Sequence, residues 1–572
     1  MERPCRGQIM KSLKSRVSNN RLDTHFYNII DKMLILIIFL LVFTFILYPI
    51  LAVIHKSFFP NGSFSLDLYK DILVNNKKLL KNSLFVASLS TVFSTLIALC
   101  ISIYTSFSKH KIKNLVMFVL ILSMISPPFI SSLAYIQLFG KRGFITHTLL
   151  KLTLNPYGWK GIVIMQSLSM ASLSSLMLIG SINSIDKNLL NASRDLGSDS
   201  NFALINILLP LMRPSLIVCA LLSFVKSLSD FGTPMVIGGS FNVLATEIYM
   251  RIIAYSALEY ASALNVLILV PSLLLFIAYR FYMKRSSNLT KASGRSSYED
   301  LDIKIKGVLY YFITLVTFMF LIMTLLQYSS IFLSSISKFS YGKFQWTLDH
   351  IKYLRVYNSS SFIRSIVYSL IAGIFGTLLG ILIAYYVERR NIIGTKALDF
   401  ISTLPYIIPG TFFGIGYILA FNNYPLELTG TAAIVVLNCI FKQLPMTTKT
   451  SSSSLSLINS DIERSAKDLG ASNFHVLKDV IFPNMKSAFA IGFMNNFTST
   501  MTTIGAIIFL IYPGQKVATV DLFDAINSGN MGVASVISSI IILITLGINI
   551  VVSKFILGRS VVKSVSSIKG AN

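Results

Sequence analysis

The chain has 572 residues, of which 53% are hydrophobic and only 13% charged, about half the roughly 25% charged share of an ordinary soluble domain. Water is therefore not its principal solvent, and a mean hydropathy of +0.68 agrees. The formal charge of +26 does not make it a nucleic-acid binder, because the charges lie between apolar runs and form no clustered basic face.

Apolar windows taken in chain order predict twelve helices, beginning near residues 33, 83, 115, 160, 213, 259, 307, 363, 397, 429, 486 and 532. Runs such as Met33 to Ile54, Ser83 to Phe107 and Gly532 to Val552 reach the ~20 residues a helix needs to cross ~30 Å of hydrocarbon. The expected fold class is all-α, a polytopic membrane protein of about 12 transmembrane helices. Residues 1–32 carry seven Lys or Arg with no A-x-A-like cleavage site after the apolar run that follows, and read as a retained cytoplasmic N-terminal flank. With that flank inside, the inner segments, 442 to 486 counted among them, hold 32 Lys or Arg against 15 in the outer loops. The positive-inside rule then puts both termini in the cytoplasm, with residues 557–572 as a C-terminal tail. Cys5, Cys100, Cys219 and Cys439 form no CxxC pair and the six histidines are scattered, so neither a disulfide framework nor a metal centre is predicted.

The polar, Ser-rich stretch Ser286 to Asp302 lacks apolar periodicity and marks a cytoplasmic linker at 284–306. It separates a first transmembrane repeat, 33–283 with its core at 80–283, from a second, 307–556 with its core at 361–556. A shift of 273 residues aligns Arg194-Asp195-Leu196-Gly197 with Lys467-Asp468-Leu469-Gly470, Pro210 with Pro483, Phe224 with Phe497 and Gly232 with Gly505. A shift of 282 aligns Ser83 with Ser365, Phe93 with Phe375, Pro127 with Pro409 and Tyr135 with Tyr417. Six spans per half is an even number, so the two pseudo-symmetric six-helix repeats are parallel.

Between the fourth and fifth spans lies a loop from Ser184 to Leu211, and between the tenth and eleventh one from Leu457 to Asn484. Each opens on a helix-capping type, Asp186 or Asn459 and Ser460, reaches Gly197 or Gly470, and resumes as a second short amphipathic helix before Pro210 or Pro483. Gly suits the left-handed residue past a helix end and Pro does not extend the helix before it. The pattern predicts helix, sharp turn and helix on the cytoplasmic surface.

These loops resemble the signature of the binding-protein-dependent ABC permeases: EAA, three residues, Gly, nine residues, a branched apolar residue, any residue, then Leu-Pro. The first copy reads Asn191-Ala192-Ser193, then Asp195, Gly197, Ile207 and Leu209-Pro210; the second reads Arg464-Ser465-Ala466, then Asp468, Gly470, Val480 and Phe482-Pro483. Both copies lack the family's Glu at the first position, with Glu463 standing one place early. The resemblance implies two ATP-binding-cassette ATPase subunits docked on these loops, an extracytoplasmic substrate-binding protein that delivers cargo, and a place in the bacterial inner membrane. The chain has no GxxxxGK[ST] phosphate loop. ATP and Mg therefore belong to the partner subunits, no cofactor is expected on this chain, and it is expected to be a transporter subunit without enzymatic activity of its own.

Past the first loop, the segment Ser227 to Ile252 contains DFGTP, which looks like the ferric-iron branch of the family; branches for phosphonates, polyamines, thiamine and sulfate share much of the pattern. Lys226 and Asp230 stand four apart in the predicted fifth span, so they lie on one helix face, and intramembrane charges usually face a bundle interior or wet cavity. An ion pair on the pathway is expected, with Ser499 and Thr503 opposite it at the 273 shift. Pro127-Pro128 and Pro409-Gly410 interrupt matching spans and predict kinked, gate-lining helices. The rival from another class is an ion-gradient-driven secondary transporter, which also uses parallel six-span halves. A membrane enzyme is disfavoured, since no paired carboxylates or His cluster lie at a common depth.

Overall fold

A computed structural model describes residues 29–556, apart from 108–109, 126–127, 142, 153–154, 291–304, 341–342, 358, 391 and 513. Most of the expected N-terminal flank, most of the linker and the tail at 557–572 lie outside the described residues.

Long helices dominate. They are α1 (Ile29–Phe58), α2 (Lys77–Phe107), α3 (Trp159–Ser184), α4 (Ser200–Ser229), α5 (Leu258–Thr290), α6 (Gly307–Ser335), α7 (Ser359–Arg389), α8 (Ala432–Ser456), α9 (Lys486–Thr502) and α10 (Met531–Ile556). Eight are long and apolar enough to cross a membrane, namely α1 to α7 and α10. The third and ninth expected spans are instead bent pairs, Ile112–Ile125 with Phe129–Leu149 at 108° and Thr395–Tyr406 with Gly410–Phe421 at 114°. Among the described residues, eight helices, or up to ten if each bent pair counts as one span, are thus long and apolar enough to cross a membrane, in keeping with the polytopic all-α expectation. Helix α8 falls short because it carries Lys442 and Gln443 and ends in a Ser-rich turn, and α9 because it has 17 residues. Among the described residues the small exception to helix is an antiparallel strand pair that joins Ser337 with Trp346 and Ser340 with Lys343.

The two halves repeat one design in three dimensions. Helices α2 and α7 both have 31 residues, and each follows a nine-residue helix, Asp67–Asn75 or Asp349–Tyr357. Ser83 Oγ accepts a hydrogen bond from the Leu244 amide, and Ser365 Oγ one from the Ala518 amide, both at 2.8 Å. Each bond satisfies an orphan donor at the start of a short helix, Leu244–Ile253 or Ala518–Asn527.

The first helix of each half lies on the other half. Ile38, Val42 and Ile46 of α1 share a buried cluster with Tyr417, Phe421 and Phe441, the Phe45 ring stacks on Phe441 at 5.1 Å, and Tyr417 donates to the Phe45 carbonyl at 2.8 Å. At its start, Asp31 pairs with Arg390 at 2.7 Å and accepts from the Tyr386 hydroxyl at 2.9 Å. Reciprocally, Ile313, Phe320 and Leu321 of α6 are buried with Ala98 and Ile101 of α2, and Tyr328 donates to the Leu122 carbonyl at 2.9 Å.

Neither Pro49 nor Pro210 ends a helix, against the expectation that proline stops the helix before it. Pro210 lies inside α4, two residues past a π-helical stretch, Leu204–Leu208; Pro483 follows Val476–Ile481 and Pro49 follows Phe43–Leu47 at the same offset. In each case the residue before the proline donates to the carbonyl five residues back. The wider turn relieves the clash between the proline ring and the preceding turn, so the helix continues through Pro49 and Pro210, whereas past Pro483 it runs only to Asn484 and breaks at Met485 before α9. The second arm of the first loop is accordingly one continuous helix with the fifth span, starting at Ser200 and not near 213.

At Gly416 the backbone of α1 passes close: a Cβ there would sit 2.8 Å from the Pro49 carbonyl oxygen. Gly416→Ala must push the two backbones apart, and the expected cost is about 1–3 kcal/mol, read as a lower thermal midpoint of the purified protein. An unchanged midpoint would contradict this packing.

Candidate functional site

The two loops fold as matched elbows. In the first, Asp186 accepts from the Asn188 amide at 3.0 Å, and the helix Lys187–Asp195 follows. In the second, Asn459 accepts from the Asp461 amide at 3.0 Å and caps Ser460–Asp468. Gly197 and Gly470 take φ of +87° and +91°, a region in which a Cβ is strained. Open space surrounds both, so backbone conformation and not crowding requires glycine. Beyond the turn, Ser198 N donates to Ser193 O at 3.1 Å and Ala471 N to Ala466 O at 3.0 Å. These are the six-to-one bonds that close a Schellman turn on helix carbonyls. Asp199 and Ser472 then cap the second arms by accepting from Asn201 N and His475 N.

The turn tips stand clear of the protein. Leu196 and Leu469 are each 89% exposed, and Asn191, Ala192, Asp195, Arg464, Ser465 and Asp468 are also exposed. Ser193 is buried, and its hydroxyl is hydrogen-bonded to that of Ser198. Ala466, Ile207, Leu209, Val480 and Phe482 are half-buried on the inner side, while Pro483 is exposed and Pro210 half-buried. Each elbow thus presents a rigid apolar tip on a polar helix, braced by its own inner face.

The elbows are anchored differently. Glu463 is buried and pairs with Arg389 at 3.2 Å, while Arg389 also donates to the Leu455 carbonyl at 2.8 Å. At the 273 shift the same position in the first elbow is Leu190, 1% exposed and clustered with Phe107. One elbow is fixed by apolar contact and the other by a buried ion pair. The doubt that the absent EAA glutamate raised has a structural answer: Glu463 is used inside the chain. The sequence signal was present, because Glu463 falls on an apolar position of the repeat.

Both elbows lie at the end where α1 and α6 begin. Glu463 pairs with the residue next to Arg390, the partner of Asp31, and Asn201 exchanges hydrogen bonds with Lys306 at 3.0 and 3.3 Å.

The expected pathway residues are placed less simply. Asp230 lies just past α4 and Thr503 just past α9, equivalent helix ends. The ion pair of Lys226 with Asp230 does not form: Asp230 accepts from Gln166 Nε2 at 3.0 Å and from the Thr233 amide at 3.2 Å. Lys226 lies in the last turn of α4, and Ser499 is half-buried. The extended turn at Asp230 carries its carboxylate off the helix face on which the four-residue spacing had placed it. The sequence reading missed Lys442, which it counted with an inner loop. It sits within α8, donates to the Pro405 carbonyl at 2.6 Å and also to that of Ile408, and lies 5.8 Å from the Phe413 ring centre. These carbonyls belong to the break where the ninth span bends. Pro409 caps the second arm, and Gly410 passes close to the Gly505–Ala506 backbone. In the first half Pro128 begins the second arm, while Pro127 lies outside the described residues.

The profile of the family described as binding-protein-dependent transport system inner membrane component matches residues 94–288 and again 376–559. The chain belongs to this family. The two matches fall one on each structural half, so the permease carries two copies of the family's unit in one chain. It is 32% identical over 543 residues to the ferric transport system permease protein FbpB of Actinobacillus pleuropneumoniae, covering 91% of this chain and 77% of that one. A Haemophilus influenzae protein provisionally given the same ferric transport name is 32% identical over 509 residues, 85% of this chain and 79% of that one. A Salmonella paratyphi A protein, provisionally named 2-aminoethylphosphonate transport system permease protein PhnV, is 27% identical over 241 residues, which is 87% of it but 40% of this permease.

Removing one partner of the buried Arg389–Glu463 pair leaves the other charge uncompensated. Glu463→Ala is expected to destabilise the permease by about 3–5 kcal/mol, whereas Arg389→Leu with Glu463→Leu, copying the apolar anchor of the first elbow, recovers most of the loss. Thermal unfolding of the purified variants decides; a double variant as weak as the single one contradicts the assignment.

Proposed function

We propose that this permease is the membrane-spanning core of a ferric-iron importer, powered by two ATPase subunits that dock on the elbows and supplied by an extracytoplasmic binding protein. The observation that carries the reading is similarity over nearly the whole chain, both halves included, to a relative named for ferric transport. The elbows support the docking role. Each has a fully exposed leucine at the tip of a Schellman-closed turn and a braced inner face, the shape needed to seat in a cleft and pass on its movement as a rigid body.

In this reading both termini and both elbows are cytoplasmic, as the charge asymmetry of the loops favours. Closure of the ATPase pair on ATP tilts the halves, and the bent pairs at 114° and 108° are the gate regions around a central path. Because each first helix lies on the other half, tilting must carry both halves together.

The test is uptake of labelled ferric iron by cells lacking this chain. Uptake should fall at least tenfold, return with the wild-type gene, and collapse when ATP is depleted while the ion gradient is held. Labelled 2-aminoethylphosphonate serves as the control cargo. Unchanged iron uptake with lost phosphonate uptake would reassign the cargo, and uptake that survives ATP depletion would reject the ATP-driven mechanism.

A further inference from the structure

The short helices Leu244–Ile253 and Ala518–Asn527 each have ten residues. A shift of 274 aligns Val243 with Val517 just before them, and Glu247-Ile248-Tyr249 with Asp521-Leu522-Phe523 inside them. Their first amides are held by equivalent serines, Ser83 and Ser365. Tyr249 and Phe523 are therefore the same position of the repeat, and they touch: the rings meet edge to face with centres 5.9 Å apart. Equivalent residues of two halves can meet only beside the axis that relates the halves. For parallel repeats that axis runs along the membrane normal, so this contact lies at the centre of the bundle.

Two more rings close around it, one from each half. Phe231 lies 4.9 Å from Tyr249 and 5.6 Å from Phe523, and Phe509 lies 6.1 Å from Tyr249, centre to centre. Phe231 and Phe523 are 2% and 1% exposed, so water is excluded from the faces they share. Both bent pairs abut this group: a Cβ on Gly414 would sit 3.3 Å from the Phe509 ring, and one on Gly232 3.5 Å from Phe129. Helix α4 starts in the first elbow and α9 just past the second, and the four aromatic residues follow the far ends of these helices, at Ser229 and Thr502. The aromatic group thus sits on the axis at the end away from the elbows.

We propose that Tyr249 and Phe523, with Phe231 and Phe509 around them, are the seal that closes the transport path at the end away from the elbows. An apolar constriction blocks ions by excluding their water, and ring contacts tolerate several geometries, so they can part and close again. Each short helix hangs by its serine from a long helix of its own half, α2 or α7, so halves that tilt apart carry Tyr249 away from Phe523. That this end is the outer one, and that ATP drives the parting, rests on the importer reading; the seal itself does not depend on which cargo is carried.

The test uses two measurements on the full chain. In the first, the permease alone, without ATP or partners, is placed in lipid vesicles holding labelled rubidium. Wild type should retain the ion, and Tyr249→Ala with Phe523→Ala should release it at least tenfold faster. Tyr249→Phe, which keeps the ring, should be as tight as wild type. So should Tyr255→Ala, which removes a 67% exposed ring just beyond the same short helix. A double alanine variant as tight as wild type, or Tyr255→Ala leaking equally, overturns the seal.

The second measurement needs no large-to-small change in the contact's neighbours. Tyr249→Cys and Phe523→Cys are combined in a chain carrying a protease site in the linker at 284–306, and a short bifunctional thiol reagent is added. Without nucleotide the cut halves should stay joined on a denaturing gel, and with either cysteine alone they should part. Adding the ATPase subunits, the binding protein and ATP that cannot be hydrolysed should lower the yield at least fivefold. Absence of a crosslink without nucleotide overturns the seal. A crosslink that forms but ignores ATP, beside a double alanine variant that leaks, overturns the ATP-driven reading and leaves the seal in place.

Discussion

A chain that lives in hydrocarbon has no water to satisfy its backbone, so each N–H and C=O must find a partner within the protein. Unbroken helix meets this demand by default, and the informative places are those where helix stops. At the bend after Thr395–Tyr406 the freed carbonyls of Pro405 and Ile408 are taken by Lys442. At the end of α4 the Asp230 carboxylate takes the Thr233 amide, and at the short helices beginning at Leu244 and Ala518 a serine hydroxyl from α2 or α7 takes the first amide. Asp230 closes its break locally, three residues away, whereas Lys442 and the two serines reach in from a different element. These last breaks therefore tie helices together.

The same need shapes the elbows. There the chain reverses in about four residues, and the carbonyls at the end of the first arm are satisfied by amides just past Gly197 or Gly470. Only a left-handed residue lets the chain turn back that tightly. The outcome is a stiff projection whose tip is apolar and unpartnered. Where the two copies differ, the difference lies in what holds them from beneath: Leu190 in an apolar cluster, Glu463 in an ion pair with Arg389. Duplication preserved the backbone geometry and left the anchoring chemistry free to diverge.

Much of this was legible in the residues. The elbows could be read because glycine, a capping residue and proline recur at fixed offsets, and each has a backbone reason to be there. The duplication could be read because polar loops matched in the same topological slot. Other features could not. Apolar spans say that they are buried in something, not in what, so the seating of α1 on the second half and α6 on the first left no mark. Pro210 reads as a helix end because a π-turn, which accommodates proline, has no clear signature in the residues before it. Helix α8 was placed with its inner end too early because Lys442 looks like a loop residue to any hydropathy window; its carbonyl partners are distant in sequence. The pairing of Lys226 with Asp230 failed because the four-residue rule presumes that helix continues through both, and α4 ends at Ser229.

The central claim is that the two elbow tips are where a separate motor grips the membrane domain. Single cysteines replacing Leu196 and Leu469, the two tips at 89% exposure, should each crosslink to an ATP-hydrolysing subunit in intact membranes, with the yield changing between nucleotide-free and ATP-bound states. Capture of no such subunit from either tip, together with labelling of both by a membrane-impermeant reagent added from outside the cell membrane, would contradict the account.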